Sequence, residues 1–137
     1  MAVELAIILP FLFLLIVSIL DLGLLMQNHQ ILQNAAREGA RLAVLPKNWI
    51  DARNPDGGIA EDRIKNRIVE YCASENLPIG LADINVDQNY PVAVGARTAM
   101  STRIRVTFQH SFITPGATDL AGGPTQLVGE AVFRNLF

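Results

Sequence analysis

Residues 5–20 form sixteen consecutive positions without a charge, bracketed by Glu4 and Asp21, and only Pro10 and Ser18 interrupt the large apolar and Ala side chains. Counted to Met26 the apolar run is 22 residues, and a helix of that length is about 33 Å long at 1.5 Å per residue. That is close to the hydrocarbon thickness of a bilayer, about 30 Å. A chain of 137 residues folded as one small domain has no interior that long and that dry. The run therefore belongs in a membrane, in the core of an assembly, or in each at different times.

Its flanks narrow the choice. Met1-Ala2-Val3-Glu4 carries no Lys or Arg, and Asp21-Leu22-Gly23-Leu24-Leu25-Met26 offers no small-residue cleavage site, so the pattern is not that of a removable secretory signal. The first basic residues, Arg37 and Arg41, lie on the C-terminal side of the run, against the usual placement of positive charge. A short basic leader removed upstream, with the apolar helix kept, accounts for both features.

Past Met26 the helical pattern continues in a different character. Gln27, Gln30, Asn34, Arg37 and Arg41 recur at spacings of three and four, while Leu25, Leu32, Ala35, Gly39 and Leu42 do so on another face, the signature of an amphipathic helix. The small residues Ala35, Ala36, Gly39, Ala40 and Ala43 let another backbone approach closely. Gly39 costs about 1 kcal/mol relative to Ala inside a helix, which close packing would offset. One helix is predicted over residues 2–45, ended by Pro46. Pro10 should kink or open it, since proline removes one bond to the preceding turn.

Three strings then carry a resemblance. Ala2-Val3-Glu4-Leu5-Ala6-Ile7-Ile8-Leu9-Pro10, Asp21-Leu22-Gly23 and Gln33-Asn34-Ala35-Ala36-Arg37-Glu38-Gly39-Ala40-Arg41 together resemble the N-terminal segment of TadE-like proteins of the tight-adherence pilus system, in order and spacing. The resemblance spans about the first 45 residues and is only general beyond. It implies a type IV pilin-like or pseudopilin subunit, processed by a prepilin peptidase, resting in the bacterial inner membrane and then entering an extracellular helical filament of its own copies with the help of a pilus assembly platform. It also implies that Glu4 meets the free N-terminal amine of a neighbouring subunit. Glu is usually the fifth mature residue of such proteins and is fourth here. The bare alternative for Glu4 is a helix-start carboxylate favoured by the dipole. Asp21 is left between two readings, a contact with polar groups of a neighbour and a marker of the outer membrane interface. Glu4, Leu5, Pro10 and Asp21 are the candidate assembly residues; Leu32, Ala35, Ala36, Gly39 and Leu42 are the candidate contacts between helix and head.

The remainder, residues 47–137, is expected to form an α+β head on the helical segment 1–46. Its nine Lys and Arg against ten Asp and Glu give no clustered basic patch of the kind a nucleic-acid surface needs. Residues 46–58 are turn chemistry throughout, with Trp49 and Ile50 as an apolar plug onto the head. A second helix is expected over 59–75, with Ile64, Ile68, Tyr71 and Cys72 on one face, Glu61 and Asp62 favouring the dipole of its first turn, and Leu77-Pro78-Ile79-Gly80 as its stop. Strands are expected at 82–87, 102–112 and 126–133 from period-two alternation, with Ile104, Val106, Phe108 and His110 on one face. A Gly/Pro-rich surface connection joins the last two. The two helices should cover one face of this antiparallel sheet.

Candidate chemistry is sparse. Asp83-Ile84-Asn85-Val86-Asp87 has the opening of a calcium loop, but position six is Gln88 rather than Gly and no terminal Glu follows; the same residues alternate as the solvated face of a strand would. Cys72, the single cysteine, fits a packed apolar position, and His29 and His110 are not placed to activate it. No catalytic motif and no cofactor site is expected. The leading reading is a structural filament subunit. Its alternatives are a bitopic TadE-like assembly or minor pilin factor that does not polymerise, and a secreted binding domain on an uncleaved anchor.

Overall fold

Leu, Ala and Ile make up half of the first forty residues, and the structure, a computed structural model describing residues 2–45, 60–114 and 116–134, makes of this stretch one helix, α1 (Ala2–Ala43). It is unbroken across Pro10, where the ring costs the single bond to the carbonyl of Ala6. Its end tightens through Val44 N–H donating to Ala40 O (3.3 Å) and Leu45 N–H to Leu42 O (3.2 Å). The expected turns at 46–58, the plug of Trp49 and Ile50 and the Ile59 start of the second helix lie outside the described residues.

Helix α2 (Ala60–Ser74) opens with Glu61 and Asp62 in its first turn. Glu61 also takes Lys65 at 2.8 Å, one turn on. The helix ends in a way that the Leu77-Pro78 signal only half announces. Asn76 adopts φ 59, Leu77 N–H donates to Cys72 O (2.9 Å) and Asn76 N–H to Ala73 O (3.1 Å). This pair of bonds is a Schellman cap with Asn in the left-handed position, and it delivers Leu77 into the core.

A 3-10 turn (Leu81–Asp83) leads into β1 (Ile84–Val94), which pairs with β2 (Arg97–His110), which pairs with β3 (Thr125–Arg134). The sheet is an antiparallel meander in the order β1-β2-β3. The first strand runs well past the expected Asp87. Register passes from Asp87↔Arg103 to Tyr90↔Ser101 through a bulge, and the strand continues through Pro91. Proline is tolerated there because β1 is an edge strand and loses no ladder bond on its open side. Beyond the bulge, β1 and β2 form a two-stranded arm past the end of β3, turned at Gly95, whose φ of 63 is strained for any residue with a side chain. The second strand stops at His110, short of the expected 112, because the chain there bends toward α1. A short helical turn (Ala117–Leu120) lies within the expected Gly/Pro-rich connection.

Both helices lie on one face of the sheet and share one core with it. Leu32, Ala35 and Ala36 of α1, Ile64, Ile68 and Cys72 of α2, and Ile104 and Val106 of β2 are all fully buried together. Along β3 the residues facing this core are Leu127, Gly129 and Ala131, so small side chains line the strand where α1 crosses it. The opposite face of the sheet is polar: Arg105 donates through Nε and Nη2 to Glu130 (3.1 and 3.0 Å), and Arg103 stacks 4.0 Å above the Tyr90 ring.

Candidate functional site

Three regions hold the residues singled out from sequence: the free half of α1, the place where α1 first meets the head, and the small-residue face beyond it.

In the free half, Glu4, Leu5 and Pro10 all lie on the exposed surface of the helix. From residue 4 to residue 20 every position is exposed except Val17 and Ser18, which are half-buried. Phe11 is 74% exposed and Leu5 64%. Ser18 satisfies its hydroxyl on the helix itself, donating to Leu14 O at 2.8 Å. The helix is long and apolar enough to cross a membrane, and its own head covers almost none of this stretch. Exposed apolar surface on that scale marks a binding or membrane surface.

At Asp21 the setting changes within one residue. Asp21 is 2% exposed. Its carboxylate accepts the main-chain N–H of Ile113 at 2.9 Å and of Thr114 at 2.7 Å, and the Thr114 hydroxyl donates to it as well. The partners of Asp21 are thus groups of its own head, an arrangement neither sequence reading contained. A lone carboxylate in an apolar run requires a partner, which was legible; that the partner is a turn 92 residues further along the chain was not.

A second polar pair lies two turns on. Asn28 Nδ2 is 3.2 Å from His110 Nδ1. With the amide nitrogen donating, Nδ1 accepts, which leaves the second ring nitrogen, Nε2. That nitrogen is buried without a hydrogen-bond partner among the described residues, and the Phe112 ring stands edge-on to the imidazole at 5.3 Å. Together Asp21 and Asn28 fasten the end of β2 and the turn after it to α1.

Along the small-residue face, Leu32, Ala35 and Ala36 are fully buried, Gly39 is buried and Leu42 half-buried. A side chain at Gly39 would meet Ile68 Cδ1 at 2.5 Å, so the glycine lets α2 lie close on α1. Gly129, which no sequence pattern marked, does the same on the other side: a Cβ there would stand 2.5 Å from the main-chain carbonyl carbon of Leu32.

The remaining candidates have structural roles. Asp83 accepts the Gly80 N–H at 3.0 Å, closing the 3-10 turn. Asp87 accepts the Asn89 N–H at 3.2 Å and faces Arg103 at 3.6 Å, while Asn85 is exposed on the strand. Among the described residues no group of three or more His, Cys, Asp or Glu could hold a metal ion. Cys72 is fully buried, and burial pushes its thiol up to about 11. The thiolate is the reactive form, so the folded protein should resist a disulfide reagent at pH 8 and react only once unfolded. Rapid stoichiometric modification of the native protein would contradict this placement.

Residues 1–41 match the family model described as TadE-like protein, so over that stretch the chain is similar to TadE-like proteins. No curated protein and no solved structure matches the chain.

Proposed function

We propose that this protein is a pilin-like structural subunit that polymerises through the free half of α1 into a Tad-type or related pilus filament. The observation that carries the reading is the apolar surface of residues 4–20, which is exposed at every position except the half-buried Val17 and Ser18. Such a surface has two stable settings, lipid and the helices of other copies, and a pilin-like subunit uses both in turn. The helix rests in the inner membrane before assembly and enters the filament core afterwards, with the heads outside. The TadE-like match over residues 1–41 supports the same reading, since it covers the segment that does the packing. Prepilin peptidase and a pilus assembly platform are the partners this reading requires.

Electron microscopy of material sheared from expressing cells, with mass spectrometry of the subunit, tests it. Filaments should contain this chain with residues 5–26 retained. Full-length chain held in the membrane, with none in the sheared fraction, would replace the polymer by a bitopic assembly factor. A product beginning beyond Met26 would leave a secreted domain freed from its anchor.

A further inference from the structure

On the side of α1 that faces the head, the apolar surface stops at Asp21. On the far side it continues for more than a turn: Leu22 is 60% exposed and Met26 57%, and the first polar residue is Gln27. A bilayer that covers the whole apolar run therefore ends near Met26. Met26 is five positions beyond Asp21, about 7.5 Å along the helix axis. The Ile113 amide is held on the Asp21 carboxylate at 2.9 Å, so this turn of the head lies at the depth of Asp21. Ile113 itself is 65% exposed.

We infer that the turn at residues 112–114 is a lipid contact, a wedge that sits in the bilayer interface beside α1 and fixes the height of the head over the membrane. The inference rests on the reading that α1 lies in a membrane before assembly. An apolar group buried about 5–10 Å at the headgroup boundary is the usual depth of interfacial anchors, and the geometry puts Ile113 there. The chemistry of the turn suits that place. Unpaired backbone N–H groups are costly where water is scarce, and here the N–H groups of Ile113 and Thr114 and the Thr114 hydroxyl all donate to Asp21. The same three donors satisfy the carboxylate, which is shielded from its surroundings. What the turn presents outward is the Ile113 side chain, at the level where the apolar surface of the helix runs on to Met26. A second copy of the chain could cover the same residue only after assembly, so the isolated subunit in lipid separates the two.

Spin-label depth measurement on the full chain in phosphatidylcholine nanodiscs tests the inference. Single labels go on Ile113→Cys, on Leu12→Cys in the middle of the apolar run, and on Thr98→Cys at the exposed β-arm; Cys72, buried, stays unlabelled. Collision with oxygen relative to a water-soluble nickel chelate reports depth. The label at 113 should give a ratio several-fold above that at 98 and below that at 12. A water-like value at 113 with a deep value at 12 would overturn the wedge while leaving the membrane helix intact. In that case, protection of 113 only in assembled filaments would assign it to a neighbouring subunit. A water-like value at 12 would remove the membrane reading and the wedge with it.

Discussion

Glu4→Ala is expected to abolish filament formation while leaving membrane insertion unchanged. In the isolated subunit Glu4 lies on the exposed surface of α1, in the first turn of the helix. Packing α1 among copies of itself carries that carboxylate into an apolar bundle, where a charge is tolerated only if a positive group from another chain meets it and is held by hydrogen bonds. In the pilin-like reading that group is a neighbour's N-terminal amine. Removing one member of a buried ion pair costs about 3–5 kcal/mol, because the other charge is left uncompensated. In a polymer the loss recurs at every subunit added, so even the lower figure stops growth. Insertion of a single helix into lipid involves no such contact, and Ala is at least as well accommodated there as Glu. The variant should accumulate in the membrane at wild-type levels and be missing from sheared material, in cells lacking the wild-type subunit. Normal filament yield from such cells would rule out an assembly contact at Glu4.

The fold was largely legible because its main determinants are patterns along the chain. The apolar run and the three-and-four spacing past Met26 are enough to draw α1 and its buried face. The alternation at Ile104, Val106, Phe108 and His110 gives β2 and its inner side. What the sequence hid was each feature that depends on a partner distant in the chain. Asp21 could be recognised as needing a partner, but the carboxylate looks the same whether that partner is a neighbour, a headgroup or Thr114. The second half of β1 was hidden for a different reason: Asn89, Pro91 and Gly95 all read as strand breakers. Each is harmless in place, because the bulge absorbs Asn89, an edge position tolerates Pro91 and Gly95 makes the turn. Gly39 could be flagged because a glycine inside a helix is locally unfavourable. Gly129, in a strand of ordinary composition, could not.

Gly129→Ala should therefore be the most damaging single-methyl change in the head. The residue faces α1 from β3, and a Cβ would stand 2.5 Å from the Leu32 carbonyl carbon and 2.8 Å from its Cβ. Those atoms belong to the backbone, or are fixed to it, in the middle of a continuous helix, so no rotamer change can clear them. Strand and helix must move apart, and the core they share, which includes Leu127, Ala131, Leu32 and Ala35, loses contact along their crossing. Overpacking of this kind costs about 1–3 kcal/mol and occasionally more. Gly39→Ala is the internal control. Its new methyl would meet Ile68 Cδ1 at 2.5 Å and Cγ1 at 2.8 Å and Ile104 Cδ1 at 3.2 Å, all side-chain atoms that can yield more readily than a helix backbone, and replacing Gly by Ala within a helix returns about 1 kcal/mol of propensity. The two variants thus differ by one methyl each and should separate clearly. Exposure of the buried Cys72 thiol on a urea gradient, read on the detergent-solubilised full chain, gives the comparison directly. Gly129→Ala should open at markedly lower urea than wild type, and Gly39→Ala at a midpoint between the two. Coincident midpoints for the two variants would mean that β3 does not pass so near the backbone of α1.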